Sequence, residues 1–148
     1  MVTSTPTPAL FPSIRRRLAS MFYEGLLLLG VLSVIFLLPH IAIGMAFAYA
    51  APSWVLTMHL VLALAVYFVG YWRYSGQTLA MQTWKIRLST PEGTPPTLAR
   101  LILRYVLAWF SIGYAGAGLL WALLDRDRQF LHDRLAGTCI VFSKIGSM

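Results

Sequence analysis

Cysteine occurs once in these 148 residues, as Cys139, so no disulfide can form within the chain. Acidic residues are nearly as scarce, five Asp and Glu against twelve Lys and Arg, and charged residues make up only 11% of the total. A soluble domain of this size must cover itself with polar surface, and a chain that is 58% hydrophobic has too little of it. The three histidines, His40, His59 and His132, fall in separate segments without ligand spacing, so neither a metal site nor a cofactor is expected. Enzymatic activity is not expected either: no nucleophile with a base partner, phosphate-binding loop or pair of carboxylates in one pocket can be picked out.

Long apolar runs are what the chain does have. Residues 18–38 carry no charge except Glu24 and follow the basic cluster Arg15, Arg16 and Arg17. At about 1.5 Å per residue such a helix covers roughly 31 Å, the hydrocarbon thickness of a bilayer. A carboxylate inside that run needs a reason to be there. A second run, 54–72, has Trp54 at one end and Tyr71, Trp72 and Tyr74 at the other, the aromatic anchors of two membrane–water borders. Basic residues before an apolar run also imitate a signal peptide, but the run is too long, is interrupted by Glu24 and ends well before Ala48-Tyr49-Ala50, so it is expected to stay uncleaved.

Around these runs, residues 1–13 read as a disordered arm and 14–148 as one domain. Residues 40–52 fit either a short external connection or an extension of the first helix. Residues 76–82 read as a short helix lying against the membrane, 85–89 alternate with the period of a strand, 91–96 form a Pro/Gly loop, and Thr97 stands where a helix N-cap belongs. The apolar stretch 98–124 is interrupted by Gly113, Gly116 and Gly118. A single crossing there would split the basic residues between two sides, whereas a helical hairpin keeps Arg73, Lys85, Arg87, Arg100, Arg134 and Lys144 with the N-terminal arginines. The hairpin is preferred, with each arm too short to span and therefore tilted or re-entrant. It also lets the β-rich run 137–142 pair with 85–90. The expected fold is an all-α membrane protein: a small polytopic helical bundle of two full spans plus a re-entrant or tilted hairpin, with a small cytoplasmic two-stranded β element. The bacterial cytoplasmic membrane is the expected location, with both termini cytoplasmic. Asp125-Arg126-Asp127-Arg128 reads as a solvated, self-neutralising helix end. The net charge of +7 sits at predicted membrane borders, where lipid headgroups account for it, so the bilayer and not nucleic acid is the expected partner.

Three segments carry a resemblance: Arg17-Leu18-Ala19-Ser20-Met21-Phe22-Tyr23-Glu24, then Gly76-Gln77-Thr78-Leu79, then Leu131-His132-Asp133-Arg134-Leu135-Ala136-Gly137-Thr138. Together they resemble the RDD family of bacterial membrane proteins across nearly all of the chain after the arm. The resemblance implies that Arg17, Glu24 and Asp133 are the family's motif residues. The family has no settled molecular function but has been proposed to act in transport, some members being linked to cation and proton exchange. Transport of ions or small solutes is thus one expectation, and a non-transporting structural or assembly subunit of a larger membrane complex the other. Two departures stand out. Glu24 replaces the family's aspartate, and Ala80-Met81 stands where Gly-Lys is frequent, so no role of that lysine carries over.

From the residues themselves, Arg17 and Glu24 are seven apart, about 10 Å along a helix, and need separate partners. Arg100 and Arg104, four apart on one face, are candidates for Glu24, as are the hydroxyls of Tyr23, Tyr105 and Ser111. Asp133 is expected to return to Arg17. Two readings follow: charged staples that join short helices, or a Glu24 that loads and releases a proton or cation. At this size a transport pathway calls for a homo-oligomer or a membrane partner subunit.

Overall fold

A computed structural model describes residues 11–114, 116–125 and 129–143. Helix α1 (Ile14–Leu32) begins at Ser13, whose hydroxyl accepts from the Arg16 backbone N–H, and Pro12 before it is fully buried; the last residues of the N-terminal arm are thus part of the helix cap. A π-helical turn, Ser33–Leu37, leads into α2 (Leu38–Phe47). Pro39 lacks the N–H that would close the preceding turn, which accounts for the widened turn at this point. Residues 40–47 therefore continue the first helix and do not form a loop; the helix ends at Ala48, which takes a left-handed conformation with φ 49°. After a short connection, α3 (Ser53–Tyr74) returns.

The continuous stretch Ile14–Phe47, 34 residues with a mean hydropathy of 2.6, and Ser53–Tyr74, 22 residues with 1.8, are both long and apolar enough to cross a membrane. Their exposure shows what kind of helices they are. The core helix of a soluble protein buries its apolar face, yet neither apolar window contains a buried residue, and Phe22 and Val66 are 73% and 75% exposed. Apolar side chains turned outward on two long helices suit lipid as the surrounding solvent.

Packed residues gather instead at the end of the molecule where α1 begins and α3 ends. There α4 (Leu79–Thr83) is capped by Thr78, and β1 (Ile86–Ser89) pairs antiparallel with β2 (Cys139–Phe142) in the register Ile86↔Phe142 to Ser89↔Cys139. The expected two-stranded element is present. Gly76 and Gln77 extend it sideways: the Leu88 N–H donates to the Gly76 carbonyl at 2.8 Å and Gln77 Nε2 to the Ile86 carbonyl at 2.7 Å. Trp72, Met81, Ile86, Leu88, Leu101, Tyr105 and Ile140 form the hydrophobic core beneath the sheet. Arg16 fixes the start of α1 to this unit, its Nε donating to the Trp84 carbonyl at 2.9 Å and its guanidinium lying 5.0 Å from the Phe142 ring centroid.

Helix α5 (Leu98–Gly113) starts at Thr97 and packs on α3, with Tyr105 Oη donating to the Val61 carbonyl at 2.7 Å. Beyond it, Gly116 adopts φ 72°, a left-handed turn that only glycine enters without cost, and α6 (Ala117–Leu124) folds back on α5. The contact is close: a Cβ placed on Gly118 would collide with Ser111 Oγ and lie 2.6 Å from Ser111 Cβ. The break expected at the glycines is real, and the two helices form a hairpin. Helix α7 (Leu131–Leu135) then leads to β2. Asp125 ties this connection down, accepting from Arg134 Nη1 at 2.8 Å and from the Gln129 backbone N–H at 3.0 Å. Of the charged run expected to neutralise itself, residues 126–128 lie outside the described residues.

Candidate functional site

A cavity of about 410 Å³ lies between α1, α3, α4 and α5, above the sheet. Its polar lining includes Arg17 and Glu24 from α1, Thr78 at the α4 cap, Arg104 from α5 and His132 from α7. Glu24 is 7% exposed. Its Oε1 accepts from Tyr67 Oη at 2.5 Å and its Oε2 from the Thr78 hydroxyl, which at the same time accepts from the Met81 backbone N–H. A carboxylate buried without hydrogen bonds is costly, and these two hydroxyls answer that cost with neutral donors.

Neither expected arginine reaches it. Arg104 Nε donates to Asp133 Oδ1 at 2.6 Å, with Asp133 fully buried, and the Arg104 guanidinium lies 4.3 Å from the Trp72 ring centroid. Arg100 turns to the other end of α7: its Nη1 donates to the Gly137 carbonyl at 3.2 Å. Gly137 has φ 65°, a left-handed conformation that glycine enters without cost. Among the described residues, no ion pair includes Glu24. The reason is positional: Arg104 lies over Trp72 and next to α7, so the nearer carboxylate, Asp133, claims it. Tyr23, Tyr105 and Ser111 are likewise not the donors to Glu24.

Arg17 is buried and receives the segment that precedes α7. Its Nη1 donates to Gln129 Oε1 at 3.4 Å, and its guanidinium lies 6.0 Å from the Phe130 ring centroid. The return of the C-terminal element to Arg17 thus runs through Gln129 and Phe130, with Asp133 one turn further on.

His132 Nδ1 lies 3.2 Å from Ser111 Oγ, and its Nε2 is 3.8 Å from Asp133 Oδ1, too far for a hydrogen bond. Burial lowers the imidazole pKa to about 4, and the Asp133 charge does not make up the difference, so the ring is neutral at pH 7. The Ser–His–Asp proximity does not resemble a nucleophile with its base. Ser111 Oγ is pressed against the Gly118 backbone, which fills the space an attacked carbonyl would need.

At the far end of the long helices, His40 and His59 do come together, contrary to the expectation from their separation in sequence. Their ring centroids are 5.0 Å apart, with Phe36 within 5.3 Å of both. His40 Nδ1 lies 2.7 Å from the Phe36 carbonyl. The three rings pack α2 and the π-helical turn against α3. Among the described residues no group of three or more His, Cys, Asp or Glu is placed to hold a metal ion.

Tyr67 and Thr78 were not legible as partners of the carboxylate. Thr78 lies inside one of the three segments that carry the family resemblance, and its place immediately before a short helix was a signal. Tyr67 stands within an apolar span, seven residues from the aromatic border at Tyr74, where a phenol has no headgroup to meet.

Two long helices with exposed apolar side chains that are candidates to span a membrane, a helical hairpin and a buried cluster of Arg, Glu and Asp at one end point to a mostly helical membrane protein. The chain belongs to the RDD family: the family model matches residues 11–137, a span that holds Arg17, Glu24, Arg104 and Asp133. It is 32% identical over 84 residues to the uncharacterized protein RP437 of Rickettsia prowazekii (strain Madrid E). That match covers 56% of this chain and 46% of the relative, so it spans about half the relative's length. No solved structure matches.

Proposed function

We propose that this chain is a transport module that carries a proton or monovalent cation across the bacterial cytoplasmic membrane, with Glu24 as the group that loads and releases it. One observation supports this above all: Glu24 faces the cavity and is held, among the described residues, by the hydroxyls of Tyr67 and Thr78, while Arg104 is engaged by Asp133. A carboxylate locked to an arginine exchanges protons with difficulty; one held by neutral donors does not carry that lock. The Arg104–Asp133 pair then serves the frame.

In this reading Ile14–Phe47 and Ser53–Tyr74 are the two full spans and α5 with α6 is a re-entrant hairpin. The sheet and both termini face the cytoplasm, where the positive-inside rule puts the basic residues. One monomer is small for a complete pathway, so the module works as a homo-oligomer or with a partner subunit. It acts neither as an enzyme nor on nucleic acid.

The test is proton and monovalent-cation flux in proteoliposomes, wild type beside Glu24→Gln at matched insertion. The substitution is well suited to the question because hydroxyls can accept as well as donate, so Tyr67 and Thr78 can still bond to the amide. Flux in the wild type that disappears in Glu24→Gln is the expected result. A folded wild type without flux would sink autonomous transport and leave a structural or assembly subunit, in which Arg17, Glu24 and Asp133 hold the fold together.

A further inference from the structure

The cavity has two chemically different parts. Beyond Glu24 it is apolar, walled by Gly25 and Leu28 of α1 and by Ala108, Trp109 and Ile112 of α5. It is also open on that side: a Cβ on Gly25 would meet nothing within 4 Å, and Trp109 and Ile112 are 45% and 49% exposed. Helix α1 packs on α4, and α5 packs on α3 and α7, so the gap between α1 and α5 faces the medium that surrounds the apolar helices.

At its other end the cavity reaches Arg104. This guanidinium is only 6% exposed, its Nε is taken by Asp133, and its two Nη groups make no hydrogen bond among the described residues. Guanidinium N–H groups without a protein acceptor are open to one, and a paired fork of them matches the oxygens of a phosphate. Trp72 covers one face of the guanidinium and so fixes the plane of the fork.

From the lateral opening, the apolar wall and the fork at its end, we propose that the cavity binds a membrane phospholipid, with one acyl chain between α1 and α5 and the phosphate on the Arg104 Nη groups. The volume of about 410 Å³ lies in the range of pockets that enclose small ligands, enough for one chain while the second stays in the bilayer. Basic pockets between membrane helices are a recurrent setting for lipid headgroups. Both oxygens of Glu24 are engaged by the hydroxyls of Tyr67 and Thr78, whereas the Arg104 Nη groups are not engaged among the described residues. The proposal does not depend on Glu24 carrying a proton.

Substituting Arg104 would also unseat Asp133, so the decisive variant fills the apolar part instead. Gly25→Phe projects into open space and replaces glycine in a helix with a better helix former, whereas Gly30→Phe, also in α1 with nothing within 4 Å, does not line the cavity and is the control. The full chain, purified and delipidated, is titrated with dipalmitoyl phosphatidylglycerol, the matching diacylglycerol and palmitate, and bound lipid is counted by native mass spectrometry. The expected result is one phosphatidylglycerol per chain, with diacylglycerol and palmitate bound at least tenfold more weakly. Gly25→Phe lowers phospholipid affinity at least tenfold, while Gly30→Phe leaves it unchanged. Equal retention by wild type and Gly25→Phe, equal retention of lipids with and without phosphate, preference for palmitate, or no bound lipid would each overturn the proposal. Because the transport proposal is read by ion flux in Glu24→Gln and this one by lipid retention in Gly25→Phe, the two proposals stand or fall separately.

Discussion

Asp133→Asn is the perturbation whose magnitude the structure constrains best. It removes one charge from a pair whose side chains are 8% and 0% exposed and whose N···O distance is 2.6 Å. Taking one partner from a buried pair costs roughly 3–5 kcal/mol, because the other charge stays buried without compensation. Two features place the expected loss at the lower end. The Asn oxygen can still accept from Arg104 Nε, and the Trp72 ring, 4.3 Å from the guanidinium carbon, continues to attract it by up to about 2 kcal/mol. One feature works the other way: Asp133 Oδ2 has no hydrogen-bond partner among the described residues, so the new amide N–H₂ finds no acceptor. The expectation is a loss of about 3 kcal/mol in reversible unfolding in mixed micelles, with faster amide exchange in residues 131–142. Replacing both members with apolar residues, Arg104→Met with Asp133→Leu, removes the stranded charge and should recover most of the loss. An Asp133→Asn protein within about 1 kcal/mol of wild type, or a double variant no better than the single, would refute the assignment of this pair as the bond that joins α5 to α7.

Three further outcomes follow from the same geometry. Gly118→Ala drives a methyl group into Ser111 Oγ and should cost about 1–3 kcal/mol in the same unfolding assay; Ser111→Gly, which vacates that space, should return part of it. His132 has its pKa lowered to about 4 by burial, so the unfolded chain binds its proton first as the solution is acidified. Its contribution is complete above about pH 6.5 and is lost as pH falls toward 4, at roughly 1.4 kcal/mol per pH unit within that window. Unfolding measured across the window should lose this slope in His132→Gln. Tyr67→Phe leaves the Glu24 carboxylate with one donor and should destabilise the protein by about 1–3 kcal/mol, an effect that Glu24→Gln in the same background should reduce.

What could be read ahead of the structure follows the range of the physics involved. Long apolar runs, alternation over 85–89 and the glycines at 113–118 are local signals, and two helices long and apolar enough to span, the strand pairing and the hairpin appear where they pointed, the first helix running on to Phe47. The extension of the first helix past Pro39 was open in advance because proline ordinarily ends a helix; here a π-helical turn absorbs the missing donor. The site was legible in its members but not in its pairing. Glu24, Arg104 and Asp133 were all candidates, yet opposite charges in one small volume admit several matchings, and the choice depends on which helix faces which. The packing of α5 on Trp72 decided it, and no spacing along the chain encodes that contact. The meeting of His40 with His59 was missed for the same reason, since it depends on the two helices sharing a face.

The matching chosen has a consequence for how chemistry and stability divide within so small a chain. If Glu24 were Arg104's partner, every change in its charge would be a change in the bond between α1 and α5, and a working cycle would strain the frame at each turn. Assigning Asp133 to Arg104 moves the permanent ion pair to the buried junction of α5, α7 and Trp72, where Asp133 is inaccessible and the neutral His132 adds no competing charge. Glu24 is left at the cavity wall with two hydroxyls that can each reverse from donor to acceptor, so its surroundings accommodate either charge state without a rearrangement of helices. A staple has no use for such tolerance, and a carboxylate that changes state has. For the transport we propose, this charge partition places the test on Glu24 alone, with Asp133 held intact.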